Sequence, residues 1–105
     1  MNQAAAMPFA SGECDAGILD STPLLKAMAN ENRLRILCLL RAGEMSVSQL
    51  NSRLDLSQSA LSQHLAVLRR ESLVSTRRSS QVIYYSLCGG QAEAVIDTLS
   101  RLARA

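Results

Sequence analysis

A chain of 105 residues, 48% hydrophobic and 19% charged, has the composition of one soluble globular domain and contains no stretch able to span a bilayer. A formal net charge of +2 does not identify a nucleic-acid partner, but Glu13, Asp15, Asp20 and Glu31 make the first third acidic, whereas Arg69, Arg70, Arg77 and Arg78 gather positive charge later. Residues 1–10 lack the basic start and apolar run of a secretory leader, so a cytoplasmic protein is expected, and Cys14, Cys38 and Cys88, at no metal-finger spacing, are expected to be free thiols.

Residues 1–15 open with Ala, Gly and small polar side chains and are expected to form a flexible tail, with the folded domain in residues 16–105. A first helix is predicted from about Ile18 to Met28, carrying Leu19, Leu24 and Leu25, and it either starts or kinks at Pro23. Asn30 caps a second helix reaching about Arg41, with Leu34, Leu37, Cys38 and Arg41 on one side, Ile36 and Leu40 close by, and Gly43 as its stop. Ser46 and Gln49 form a capping-box pattern for a short third helix through Leu50 and Leu54.

Ser57 caps the fourth helix, which ends near Glu71. Leu61, Leu65 and Leu68 recur at helical spacing as a buried stripe, leaving Gln58, Ser59, Ser62 and Gln63 free to reach base edges. Short polar side chains let such a helix sit deep in a major groove, and Arg69 and Arg70 supply charge for phosphate. His64 either touches a phosphate or packs locally. Two β-rich segments, residues 73–76 and 82–87, flank Arg77-Arg78-Ser79-Ser80-Gln81 and predict a hairpin with a basic, polar tip. Gly89-Gly90 ends it, and Ala92, Val95, Ile96, Leu99 and Leu102 make an amphipathic last helix.

Four helices, a basic hairpin and a closing helix are the order of a winged helix-turn-helix domain, mainly α with a small β-hairpin. A core of this size is thin, and apolar stripes on terminal helices favour a homodimer. The DNA-contacting set expected on these grounds is Ser57, Gln58, Ser59, Ser62, Gln63, His64, Arg69, Arg70, Arg77, Arg78 and Gln81. For the polar helix residues the bland alternative is a solvated face, and for Arg77 and Arg78 a tip kept soluble by charge.

Residues 24–87 carry a resemblance, in Leu25-Lys26-Ala27-Met28-Ala29-Asn30-Glu31-Asn32-Arg33-Leu34-Arg35-Ile36-Leu37-Cys38 and in Leu56-Ser57-Gln58-Ser59-Ala60-Leu61-Ser62-Gln63-His64-Leu65. Together they resemble the ArsR/SmtB family of bacterial transcriptional repressors, most closely its SqrR/BigR/HlyU-like group. The resemblance implies a homodimer paired through its first and last helices, bound to an inverted-repeat operator in double-stranded DNA and released by an inducer. Its two recognition helices would enter successive major grooves roughly 34 Å apart.

Metal sensing is disfavoured position by position. Where arsenic- and cadmium-type relatives carry Cys-x-Cys on the third helix, this chain has Ser46-Val47-Ser48, and where zinc sensors place Asp and His pairs on the last helix it has Asp97 without a histidine. Asp97 is then expected as a solvated residue, and no metal or cofactor is expected.

Cys38 occupies the position where the persulfide-sensing group carries a reactive cysteine, which implies an oxidant or reactive sulfur species as inducer. Its alternative is a small hydrophobe on a packed apolar face. The group's second cysteine falls here at about Arg104, so its intramolecular bridge lacks a partner, and Cys14 in the tail is the remaining thiol able to reach the dimer face. Cys88 is expected as fixed structure. A thiol enzyme would need a base beside its nucleophile, which the single histidine on the recognition helix cannot supply. A winged helix serving only protein contacts has no need of a polar reading face and a basic hairpin together.

Overall fold

In the computed structural model, which describes residues 12–105, the elements run α1 (Ala16–Leu19), α2 (Thr22–Met28), α3 (Glu31–Arg41), β1 (Met45–Ser46), α4 (Val47–Arg53), α5 (Gln58–Arg70), β2 (Val74–Ser79), β3 (Val82–Leu87) and α6 (Gln91–Arg104). Residues 1–11 of the expected tail lie outside the described residues. The helix predicted over 18–28 is two helices. Pro23 sits in the first turn of α2, where a missing N–H costs nothing, and α1 is a single turn held by the Asp15 carboxylate, which accepts from the Gly17 N–H at 2.6 Å.

Helices α3, α4 and α5 each begin on a side-chain cap written into the sequence. The Asn30 side chain accepts from the Arg33 N–H at 3.1 Å to open α3, and the Ser57 hydroxyl accepts from the Ala60 N–H at 3.0 Å to open α5. At α4 both halves of the capping box form: the Gln49 N–H donates to Ser46 Oγ at 3.1 Å and the Ser46 N–H to Gln49 Oε1 at 2.8 Å.

The end of α5 aims the chain into the sheet. Ser72 takes a left-handed φ of 59°, its N–H donates to the Arg69 carbonyl at 3.0 Å, and the Leu73 N–H donates to the Leu68 carbonyl at 3.0 Å. That pair of bonds is a Schellman motif, whose apolar contact is supplied by the buried Leu68 and Leu73.

The sheet contains a strand the sequence pattern did not announce. β1 pairs antiparallel with β3 through Met45↔Tyr85 and Ser46↔Tyr84, giving the order β1-β3-β2. The hairpin also closes later than expected. β2 and β3 stay in register from Val74↔Leu87 to Ser79↔Val82, so the turn is only Ser80-Gln81, with Ser80 at φ 58° supplying the reversal. Arg77 and Arg78 are therefore ladder residues and not tip residues.

One apolar core unites these elements. Ile36, Leu37 and Leu40 of α3 and Leu50 of α4 meet Leu61, Leu65 and Leu68 of α5, closed over by Ala27, Met28, Leu73, Val74, Ala92 and Ile96. The ends of the chain leave apolar side chains in solvent: Ile18, Leu19 and Leu25 on α1 and α2, and Leu99 and Leu102 on α6. The radius of gyration, 16.5 Å, exceeds the roughly 13 Å of a compact chain this long, as expected when a hairpin and terminal helices project from a small core.

Candidate nucleic-acid interface

Burial decides which face of α5 is available. Leu61, Leu65 and Leu68 are at most 2% exposed, which locks the helix rotationally and turns Gln58, Ser59, Ser62 and Gln63 to solvent. Gln58 and Ser62 line a groove of about 760 Å³, shared with Ser48, Asn51 and Ser52 of α4 and with Gln81 and Val82 of the hairpin. No Lys or Arg lines it, so what the groove offers is hydroxyl and amide hydrogen bonding.

Asn51 Oδ1 is buried without a hydrogen-bond partner among the described residues, leaving one acceptor unspent in the groove wall. Sequence reasoning missed the α4 contribution. Its signal was Ser48, Asn51 and Ser52 flanking the buried Leu50, a polar face on a helix read only for its cap.

The predicted basic residues separate into different environments. Arg69 and Arg70 are exposed at the C-terminal end of α5, with the Arg70 Nε 3.9 Å from Glu71 Oε2. Arg70 also lines a second concavity, of about 490 Å³, with Lys26 and Arg33. Arg78 and Gln81 are exposed on the hairpin.

Arg77, expected free at the tip, is not. Its Nε donates to Glu44 Oε2 at 2.9 Å and to Oε1 at 3.1 Å, its Nη2 donates to Oε1 at 2.5 Å, and the guanidinium lies 4.5 Å from the centroid of the Tyr84 ring. The guanidinium hydrogen bonds hold the Glu44 carboxyl below the usual carboxylate range.

His64 is half-buried, with its Nδ1 3.4 Å from Arg33 Nη1. The same guanidinium donates to the Ala27 carbonyl at 2.5 Å and to the Lys26 carbonyl at 3.2 Å, capping the end of α2. One arginine thus joins α2 and α3 to α5, and His64 belongs to that junction.

Cys38 is not in the packed apolar setting that was the alternative to a reactive thiol. Because α3 turns Ile36, Leu37 and Leu40 inward, Cys38 is exposed, opening into a groove of about 510 Å³ with Leu34, Leu39 and Leu54 as apolar walls and Arg35 and Arg53 beside it. Cys14 is exposed just ahead of α1, and Cys88 is half-buried with its N–H donated to the Leu73 carbonyl at 3.0 Å. Arg104 donates to Ser100 Oγ at 2.7 Å on its own helix.

Asp97 keeps its side chain 46% exposed and also accepts from Arg41 Nη2 at 2.5 Å, which ties α6 to α3. Among the described residues, no three His, Cys, Asp or Glu side chains are grouped to hold a metal, and no helix is long and apolar enough to cross a membrane.

Comparison with known proteins gives this architecture a lineage. The model for bacterial regulatory proteins of the arsR family matches residues 30–76. The transcriptional activator HlyU of Vibrio cholerae is 50% identical over 102 residues, covering 91% of this chain and 94% of that protein. Its solved structure superposes with a TM-score of 0.79 at 51% identity, over 88% of this chain and 100% of that one.

The biofilm growth-associated repressor of Agrobacterium fabrum is 43% identical over 76 residues, 72% of this chain and 65% of that protein. A homodimeric winged helix-turn-helix DNA-binding domain from Mycobacterium bovis, a possible ArsR-family regulator, matches with a TM-score of 0.75 at 30% identity, over 90% of this chain and 91% of that one. With its recognition helix, its wing and half its residues identical to HlyU over nearly the whole of both chains, the chain belongs to the ArsR family of winged-helix, DNA-binding transcriptional regulators and is not an enzyme.

Proposed function

We propose that this regulator is a repressor that binds a palindromic operator in double-stranded DNA as a homodimer and is released when the Cys38 thiol is modified. The DNA half rests on one observation. Gln58, Ser59, Ser62 and Gln63 are exposed on a helix whose opposite side is fixed in the core, so donors and acceptors are presented to base edges at little further ordering cost. Arg69, Arg70, Arg78 and Gln81 are the backbone-contacting residues of this reading. Ser57 acts by capping α5, and His64 by packing on Arg33.

The exposed apolar residues of α1, α2 and α6 support the dimer, as does the homodimeric state given for the Mycobacterium domain. HlyU is named an activator and the Agrobacterium relative a repressor, so a promoter-reporter assay, silenced and not raised by the protein, checks the sign. On a selected operator, Gln63→Ala should lose about 1–3 kcal/mol of binding while random duplex is little affected. Equal loss on both would make Gln63 a phosphate contact, and a monomer by light scattering would overturn the dimer.

The thiol half rests on the exposure of Cys38. Its thiolate attacking a polysulfide forms a Cys38 persulfide and releases a polysulfide one sulfur shorter, whereas attack on a peroxide forms a sulfenic acid and releases the second oxygen as water or alcohol. An adduct in the groove between Leu34, Leu39 and Leu54 presses on the contact between α3 and the end of α4, which leads into α5. Polysulfide or peroxide should release wild-type protein from DNA and leave Cys38→Ser bound, with intact mass recording the adduct. Release of the Ser variant as readily as wild type would make Cys38 a bystander, and a requirement for Cys14 would replace the missing Arg104-position bridge with one from the tail.

A further inference from the structure

One side chain bridges the sheet from its outer strand to the start of β1. β1 contributes only two residues to its pairing with β3, yet Arg77, from the outer strand β2, reaches over the Tyr84 ring of the central strand to Glu44, the residue just before β1. That one guanidinium spans all three strands. Glu44 in turn follows Gly43, at φ 148° just past the Ala42 cap of α3, so the far end of the clasp lies close to the end of that helix.

We propose that Glu44 is a positioning residue for DNA binding: through Arg77 it fixes the wing against the body, and it occupies the donor edge of Arg77 that a DNA phosphate would otherwise take. This rests on the DNA-binding reading above. A carboxylate and a phosphate present the same pair of oxygens to the guanidinium fork. Whichever is built into the fold keeps the other off that edge, and here the Nε and Nη2 donors are both spent on Glu44. The Tyr84 ring beneath the guanidinium adds a cation–π contact on the same path to Glu44. Arg78, with no such tether among the described residues, is left as the phosphate-contacting cation of β2.

The salt dependence of binding to a random-sequence duplex of about 30 base pairs separates the two arginines without needing the operator. Each phosphate contact contributes about 0.9 to the slope of log K against log salt. Arg78→Ala should flatten the slope by about that amount per protomer, Arg77→Ala should leave it unchanged, and Glu44→Gln, which frees Arg77, should steepen it by up to about 0.9 per protomer. Flattening by Arg77→Ala as large as that by Arg78→Ala would overturn the proposal.

Hydrogen exchange of the DNA-free protein reads the other half. Both Glu44→Gln and Arg77→Ala should speed exchange of the amides in β2 and β3, while Arg78→Ala should not. Wild-type protection in the first two would overturn the clasp. If no variant alters the slope while both clasp variants speed exchange, the wing does not touch DNA: the contact reading fails, and with it the masking of Arg77, while the wing-fixing role of Glu44 stands.

Discussion

Helices α5 and α6 are nearly equal in length, 13 and 14 residues, and both are amphipathic, yet one is completed inside the protomer and the other is not. Every leucine of the α5 stripe is buried in the core, where α5 packs on α3, β2 and α2. On α6 the first half of the stripe, Ala92 and Ile96, is buried, whereas Leu99 is 43% and Leu102 66% exposed. An apolar stripe therefore has two uses in this chain. On α5 it holds a polar face still; on the second half of α6 it is itself the face on offer.

The largest effect should come from breaking the unfinished side. Leu99→Glu with Leu102→Glu places charge where the proposed dimer closes, and should give a folded monomer by circular dichroism and light scattering. Losing the second half-site removes the gain from linked binding, so operator affinity should fall by about 100-fold or more. A double variant that remains a dimer with full affinity would show that α6 does not close the assembly.

Next is the finished side. Leu65→Ala removes a buried side chain from the centre of α5 and should cost about 2–5 kcal/mol of stability in urea unfolding. Leu102→Ala should stay within about 0.5 kcal/mol, as exposed substitutions do, when both changes are measured on monomers already carrying Leu99→Glu. Equal costs would erase the distinction between the helices. The smallest effect sharpens it at the end of α5, where Ser72 holds a left-handed φ of 59° that favours glycine. Ser72→Gly should raise stability by about 1 kcal/mol without altering DNA binding.

Much of the candidate interface was legible because its determinants are local. Asn30, Ser46 and Ser57 each bond a backbone N–H three residues on, and a leucine stripe at helical spacing defines which side of α5 is buried whatever covers it. Hence the starts of α3, α4 and α5 and the exposed Gln and Ser face of α5 could be read before any contact was known. The hairpin was legible as a pair of strands but not in its extent, because Arg77 to Ser79 lack the apolar, β-branched pattern of a strand and enter the ladder through pairing with Val82 to Tyr84.

Contacts between residues far apart in the chain could not be read in this way. Glu44 and Arg77 are 33 positions apart, Arg41 and Asp97 56, and neither pair has a spacing that a helix or hairpin would bring together. The exposure of Cys38 is of the same kind, since α3 has apolar residues on more than one side and the packing of α5 and α6 selects Ile36, Leu37 and Leu40 as the buried ones. The caps, the stripe and the polar reading face depend on neighbours three and four residues away, so the order of residues was enough to specify them. The third strand, the tethering of Arg77 and the open thiol required the packed chain, because their energies come from partners that only the completed core brings within reach.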